Sequence, residues 1–129
     1  MKSAAALVLS MSIAVSTLVA QEATVRTLLS KDLAAGAGRE LTMIVVEYPP
    51  GGSDPAHTHS AQALVYVLEG SIEMQVKGGA LVKLLPGQTF YEGPDDVHVV
   101  SRNASRTARA KFVVFLVKDK GAPILTPVE

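Results

Sequence analysis

The chain reads as an all-β protein, a double-sheet jelly-roll barrel, and three observations say so. Apolar and β-branched residues gather in short stretches, some alternating with polar residues and some continuous. Glycine and proline punctuate these stretches at Pro49-Pro50-Gly51-Gly52, Gly70, Gly78-Gly79, Pro86-Gly87 and Gly93-Pro94. No segment outside the first twenty residues carries a convincing helical period. Short strands at close spacing with turn signals between them belong to sandwiches and barrels, and eight of them, as here, fit the jelly roll.

Met1 to Ala20 has the layout of an export signal: Lys2, then an apolar run from Ala4 to Val19, then Ala20 before the polar Gln21-Glu22. Ser10, Ser12, Ser16 and Thr17 interrupt the run, which argues against a membrane-spanning helix. The expectation is a signal peptide over residues 1–20 and a single periplasmic or secreted domain over 21–129, free of the membrane after cleavage. The strands then follow in order. Thr24 to Ser30 is the first, and a glycine-bearing loop from Asp32 to Glu40 leads to Leu41 to Tyr48, stopped by Pro49-Pro50. Ala63 to Leu68 is the next, β-branched and aromatic, closed by Glu69-Gly70. Ser71 to Lys77 alternates cleanly, with Ile72, Met74 and Val76 on one face, and Gly78-Gly79 is a two-residue hairpin that returns the chain through Ala80 to Leu85. Gln88 to Glu92, Val97 to Arg102 and the long Thr107 to Val117 complete the set. The tail, with Pro123 and Pro127, is expected to be loosely ordered.

Composition narrows the function. Twelve basic residues balance twelve acidic ones, so no overall field draws the chain to nucleic acid. The basic run Arg102, Arg106, Arg109 and Lys111 lacks interleaved aromatics for base stacking, and its last two members alternate with apolar residues as an outer strand face does. Nucleic acid is not an expected partner. With no cysteine there are no disulfides, thiolate ligands or thiol nucleophiles, and any metal is held by nitrogen and oxygen.

The chemistry concentrates in GGSDPAHTHSAQALVYVLEG, Gly51 to Gly70. His57 and His59 lie two apart, which on a strand puts both imidazoles on one face. Two such rings on one face are half of a metal site.

At this point the sequence resembles the cupin superfamily. Its first motif, Gly-x5-His-x-His-x3-Glu-x6-Gly, fits Gly51, His57, His59, position 63 and Gly70 at every spacing. Its second, Gly-x5-Pro-x-Gly-x2-His-x3-Asn, resembles Gly87 to His98, with Pro94 displaced by one, Asp95 in place of a glycine and Asn103 one residue late. The two motifs together span residues 51–103. The resemblance implies a small single-domain cupin barrel in which His98 joins His57 and His59 around one divalent transition metal, iron, zinc, nickel or copper. It also marks a departure, because the family's metal-binding glutamate is replaced by Ala63. The expected site is therefore three imidazoles without a carboxylate, as in iron dioxygenases of the superfamily that lack the glutamate. Such ligation disfavours manganese and magnesium.

Gln62 is the candidate fourth ligand, although alternation from His59 puts it on the opposite face unless a bulge intervenes. Glu92, at a strand end before His98, and Tyr66 and Tyr91 are the candidate catalytic residues; packing is the plainer reading of the tyrosines. Asn103-Ala104-Ser105 forms a glycosylation triplet, relevant only in a eukaryotic secretory route. Phe112 to Val117, FVVFLV, is apolar on both faces and calls for a cover, which a homodimer supplies. Three functions stay open: a metal-binding module for a small molecule, a metal-dependent enzyme (a dioxygenase-like oxidoreductase, an isomerase or a lyase), and a metal-free ligand-binding or structural cupin.

Overall fold

The computed structural model describes residues 22–129; the expected signal peptide lies outside them. Among the described residues there is no helix, and eleven strands form two antiparallel sheets. One sheet contains β1 (Thr24–Asp32), β2 (Arg39–Tyr48), β10 (Ala110–Asp119), β5 (Ala61–Glu69) and β8 (Thr89–Glu92), hydrogen-bonded in that order. The other runs β11 (Thr126–Pro127), β4 (His57–Thr58), β9 (His98–Asn103), β6 (Ile72–Val76) and β7 (Val82–Leu84), with β3 (Ser53–Asp54) also paired to β9. This is the expected all-β jelly roll.

Alternation decides which side chains meet between the sheets. Along β5 the residues Ala61, Ala63, Val65 and Val67 are buried while Gln62, Leu64, Tyr66 and Leu68 are exposed. Along β10 the inward set is Ala110, Phe112, Val114, Leu116 and Lys118. With Ile44, Val46 and Tyr48 of β2 and Ile72 and Met74 of β6, the apolar members of these sets make one core. Gly70, which ends the first motif, has φ +72°, and a Cβ there would lie 2.4 Å from the Arg109 carbonyl oxygen, so only glycine fits this crossing of strands.

Two expectations change. The tail is ordered: β11 pairs with β4, matching Thr126 to Thr58 and Pro127 to His57. Proline is tolerated there because β11 is an edge strand and needs no N–H on its free side. Asn103 is 6% exposed, with its side-chain amide donating to the carbonyls of Pro49 (3.0 Å) and Ala108 (2.7 Å) and its oxygen accepting from the Ser105 N–H. It clamps the loops at the end of β2, and the glycosylation triplet is closed to a sugar.

Candidate metal centre

Two neighbouring strands of the six-stranded sheet bring the histidines together. β4 and β9 pair through a single register match, His57 with His98. The strand period returns His59 to the same face as His57, and Ser60, with φ 48° in the left-handed region, reverses the chain into β5. On the opposite sheet, β8 alternates so that Phe90 and Glu92 turn inward while Thr89 and Tyr91 turn out. His57 and His98 are each 2% exposed, Glu92 is 2% exposed, and the His59 side chain is 9% exposed. One ligand atom from each of these four residues lies within 4.8 Å of the others.

Hydrogen bonds fix the rings. His57 Nδ1 lies 2.8 Å from the Pro55 carbonyl oxygen, and His59 Nδ1 lies 2.6 Å from that of Ile124. A carbonyl only accepts, so both rings carry their proton on Nδ1. Each neutral ring then presents a bare lone pair at Nε2, and the two Nε2 atoms face each other at 3.3 Å. A proton between them would relieve the contact, but burial holds His57 below its ordinary value and favours the neutral ring. His98 has no hydrogen bond at either ring nitrogen; its Nδ1 is 3.1 Å from Glu92 Oε2, with the ring N–H direction missing that oxygen. Glu92 Oε2 also lies 3.4 Å from His59 Nε2. Phe90 stacks on the His98 ring at 5.9 Å between centroids, fixing its plane.

Ligand atoms of four residues thus crowd one region, with the His57 and His59 lone pairs facing each other and the His98 ring without a partner, which is costly unless something there accepts them. The donor set fits a divalent cation. Ligands at about 2.1 Å from a cation stand about 3.0 Å apart in an octahedral and 3.4 Å apart in a tetrahedral shell, and the contacts of 3.1, 3.3 and 3.4 Å fall on that range. The carbonyl partners of His57 and His59 are the supports that metal-binding histidines ordinarily have.

The candidates from sequence fare unequally. His57, His59 and His98 converge. Gln62 does not: it sits on the exposed face of β5, because no bulge interrupts the alternation there. Tyr66 and Tyr91 are 43% and 54% exposed on the outer face, with the opposite parity to Val65 and Glu92, and do not line the cavity. Glu92, expected as a candidate catalytic residue, stands in the cluster with the three histidines. Ala63, fully buried, is the register partner of Glu92 across β5 and β8. A carboxylate therefore reaches the cluster from the residue facing position 63. The sequence signal was the inward parity shared by Phe90 and Glu92; the pairing of β8 with β5 was not visible.

Beside the cluster lies a cavity of about 30 Å³ as traced by the centre of a water molecule, walled by apolar residues including Ile44, Val65, Met74 and Phe112. Its polar wall has a second feature. Tyr48, fully buried, sits 2.6 Å from both Asp54 Oδ2 and Ser101 Oγ. The phenol donates to the carboxylate and accepts from the serine hydroxyl. Burial, and then the Asp54 charge, push the Tyr48 phenol well above its ordinary value, so it stays protonated.

A two-sheet β-barrel with a buried cluster of three histidines and a glutamate defines the class: an antiparallel barrel built around a small interior site. The chain belongs to the cupin family, whose Cupin domain (Cupin_2) matches residues 44–116, more than half its length. No curated protein matches the chain by sequence. Solved structures of the same fold include the polyketide cyclase RemF from Streptomyces resistomycificus, 27% identical with TM-score 0.64, covering 85% of this chain and 73% of that one. A DMSP lyase, DddQ from Ruegeria pomeroyi, is 23% identical with TM-score 0.61, covering 68% of this chain. This chain spans 43% of that lyase's length. A cupin domain from Bordetella pertussis is 21% identical with TM-score 0.61, covering 79% of this chain and 99% of that one.

Proposed function

We propose that this cupin holds one divalent transition metal ion on His57, His59, Glu92 and His98 and binds a small oxygen-bearing molecule beside it. The observation that carries the reading is the pair of Nε2 lone pairs set 3.3 Å apart, each ring locked by a backbone carbonyl. Three imidazoles and one carboxylate suit iron, nickel, zinc or copper, and the carboxylate readmits manganese. When bound, such an ion supplies a Lewis acid for an oxygen ligand. The chain's own residues hold the ion, keep water sparse through the apolar wall, and restrict the ligand to a few heavy atoms in the small cavity. Metal analysis of the purified protein, followed by titration of the metal-free form with Zn²⁺, tests this. One ion per chain is expected; failure to take up Zn²⁺ at neutral pH overturns it.

A second reading, turnover of the bound molecule, is favoured by Asp54 and Ser101, which line the same cavity with Tyr48 behind them. Asp54 would take a proton from the ligand while Tyr48 holds its other position. The lyase, cyclase and oxidase among proteins of this fold support small-molecule chemistry in general.

Two further properties belong to the proposal. The outer face of the five-stranded sheet carries Leu29, Met43, Phe115, Leu64 and Tyr91 as successive register partners, one apolar row across all five strands. Leu29, Leu64 and Tyr91 are each nearly half exposed or more. A second copy of the chain covering this row makes a homodimer. Export rests on the pattern of residues 1–20, and a mature terminus at Gln21 in a periplasmic or secreted fraction is the expected result.

A further inference from the structure

The end of the chain makes more contacts with the metal centre than a tail needs. Lys118, 3% exposed at the root of this segment, donates to the Ala122 carbonyl (2.7 Å) and pairs with Glu40. That bond ties the chain after β10 back to the end of the strand. Ile124 then accepts the His59 Nδ1–H at 2.6 Å. Ile124 and Leu125 face the cavity, and Ile124 also packs against the core. β11 lies beside β4, and the Val128 N–H donates to the Ala56 carbonyl at 3.0 Å.

From these contacts we infer that the C-terminal strap, residues 122–129, is a working part of the site: it positions His59 for the metal and forms the movable wall of the ligand cavity. The inference rests on the metal-binding reading above. Ile124 is a positioning residue that acts through its carbonyl. Without it the His59 ring is free to rotate and to carry its proton on either nitrogen, so it no longer holds its Nε2 lone pair toward the ion. The strap is also the easiest wall to open. Its ladder is two residues long at a sheet edge, both of them exposed, whereas the other two-residue strands at the cavity are tied more firmly, β4 by neighbours on both sides and Asp54 of β3 by its bond to Tyr48. Metal and ligand reach the buried cluster when the strap lifts, and the bound ion in turn holds it down, since coupling between two events is reciprocal.

The test uses the full chain and Zn²⁺ as probe. Val128→Pro removes the N–H that latches the strap, and Ile124→Ala removes its apolar anchor; neither replaces a proposed ligand. The double variant should bind Zn²⁺ about 10- to 100-fold more weakly, the range found when support of a metal-bound histidine is lost. Hydrogen exchange in the unaltered protein gives the second arm. Exchange of the Val128 amide should slow on Zn²⁺ loading by a factor similar to the affinity lost in the variant. A strap that merely covers the barrel predicts a lower melting temperature of the metal-free variant with unchanged Zn²⁺ affinity, and that result overturns the inference. So does Val128 exchange that is the same with and without Zn²⁺, a measurement that needs no variant to fold. His98→Ala separates the two levels, because β9 is not paired with the strap. Loss of Zn²⁺ in His98→Ala with full affinity in the strap variant defeats the strap alone, and retention in His98→Ala defeats the metal site itself.

Discussion

The inside of the barrel and the outside of its five-stranded sheet break the burial rule in opposite senses. Inside, His57, His98 and Glu92 are polar and almost fully buried, and the His98 ring has no hydrogen bond. Outside, Leu64, Tyr91 and Phe115 are apolar and exposed, in register across neighbouring strands. Each arrangement is unfavourable for the isolated chain. Buried lone pairs without donors cost free energy, and a contiguous apolar patch on a free surface invites association. On the reading proposed above, both faces are completed by something the single chain does not contain, an ion inside and a second copy outside. The two completions differ in kind, since the first needs directed ligand atoms and the second only matching apolar area.

The largest effect should come from the inside. His57→Ala or His98→Ala removes one of the converging donors, and Zn²⁺ affinity measured by competition titration should fall at least about 100-fold. Small and additive losses from the two variants would mean that the histidines bind separately, and the inside would need no ion.

On the outer face, Phe115→Glu and Leu64→Glu place charges in the middle of the apolar row. Light scattering should then report the monomer mass where the unaltered protein reports twice that, with Zn²⁺ binding unchanged because both side chains point away from the site. If the unaltered protein is a monomer at micromolar concentration, the symmetry of the comparison is broken. A smaller effect distinguishes the two polar features inside. Tyr48→Phe strips Asp54 and Ser101 of their shared partner and should lower stability by about 1–3 kcal/mol in denaturant unfolding. It should leave Zn²⁺ affinity within a few-fold of the original, since Tyr48 is not among the clustered ligand atoms.

The smallest effect is on pH. Burial lowers the His57 pKa from 6.5, so between that folded value and 6.5 the unfolded chain binds a proton that the folded chain refuses. Stability of the metal-free protein from this group is therefore complete above about pH 6.5 and declines as the pH falls below it. His57→Gln should flatten that limb of the stability profile. An unaltered slope would place the acid sensitivity in other groups.

Much of this was legible in residue order. Turn residues and alternation marked the eight longer strands, the spacing of His57 and His59 put two imidazoles on one face, and the resemblance to cupins added His98. What stayed hidden was register between strands far apart in sequence. Ala63 announced a missing carboxylate, but only the pairing of β5 with β8 shows Glu92 opposite it. The tail was misjudged for the same reason: Pro123 and Pro127 signal a break locally, while its order comes from β4, Ala56 and His59, more than sixty residues upstream. The exposure of Tyr66 and Tyr91 followed from parity that the sequence did contain, since each neighbours an inward residue on its strand.

The central claim is that Glu92 supplies the carboxylate whose place at position 63 is taken by alanine. Zn²⁺ affinity of Glu92→Ala, compared with that of the swapped variant Ala63→Glu/Glu92→Ala, tests it most directly. Cross-strand partners hold their Cβ atoms about 4.5–5.5 Å apart, so a glutamate side chain can reach the cluster from either position. Glu92→Ala should bind at least about tenfold more weakly, and the swap should recover most of that loss. Full affinity in Glu92→Ala would contradict the account and return the site to three imidazoles alone.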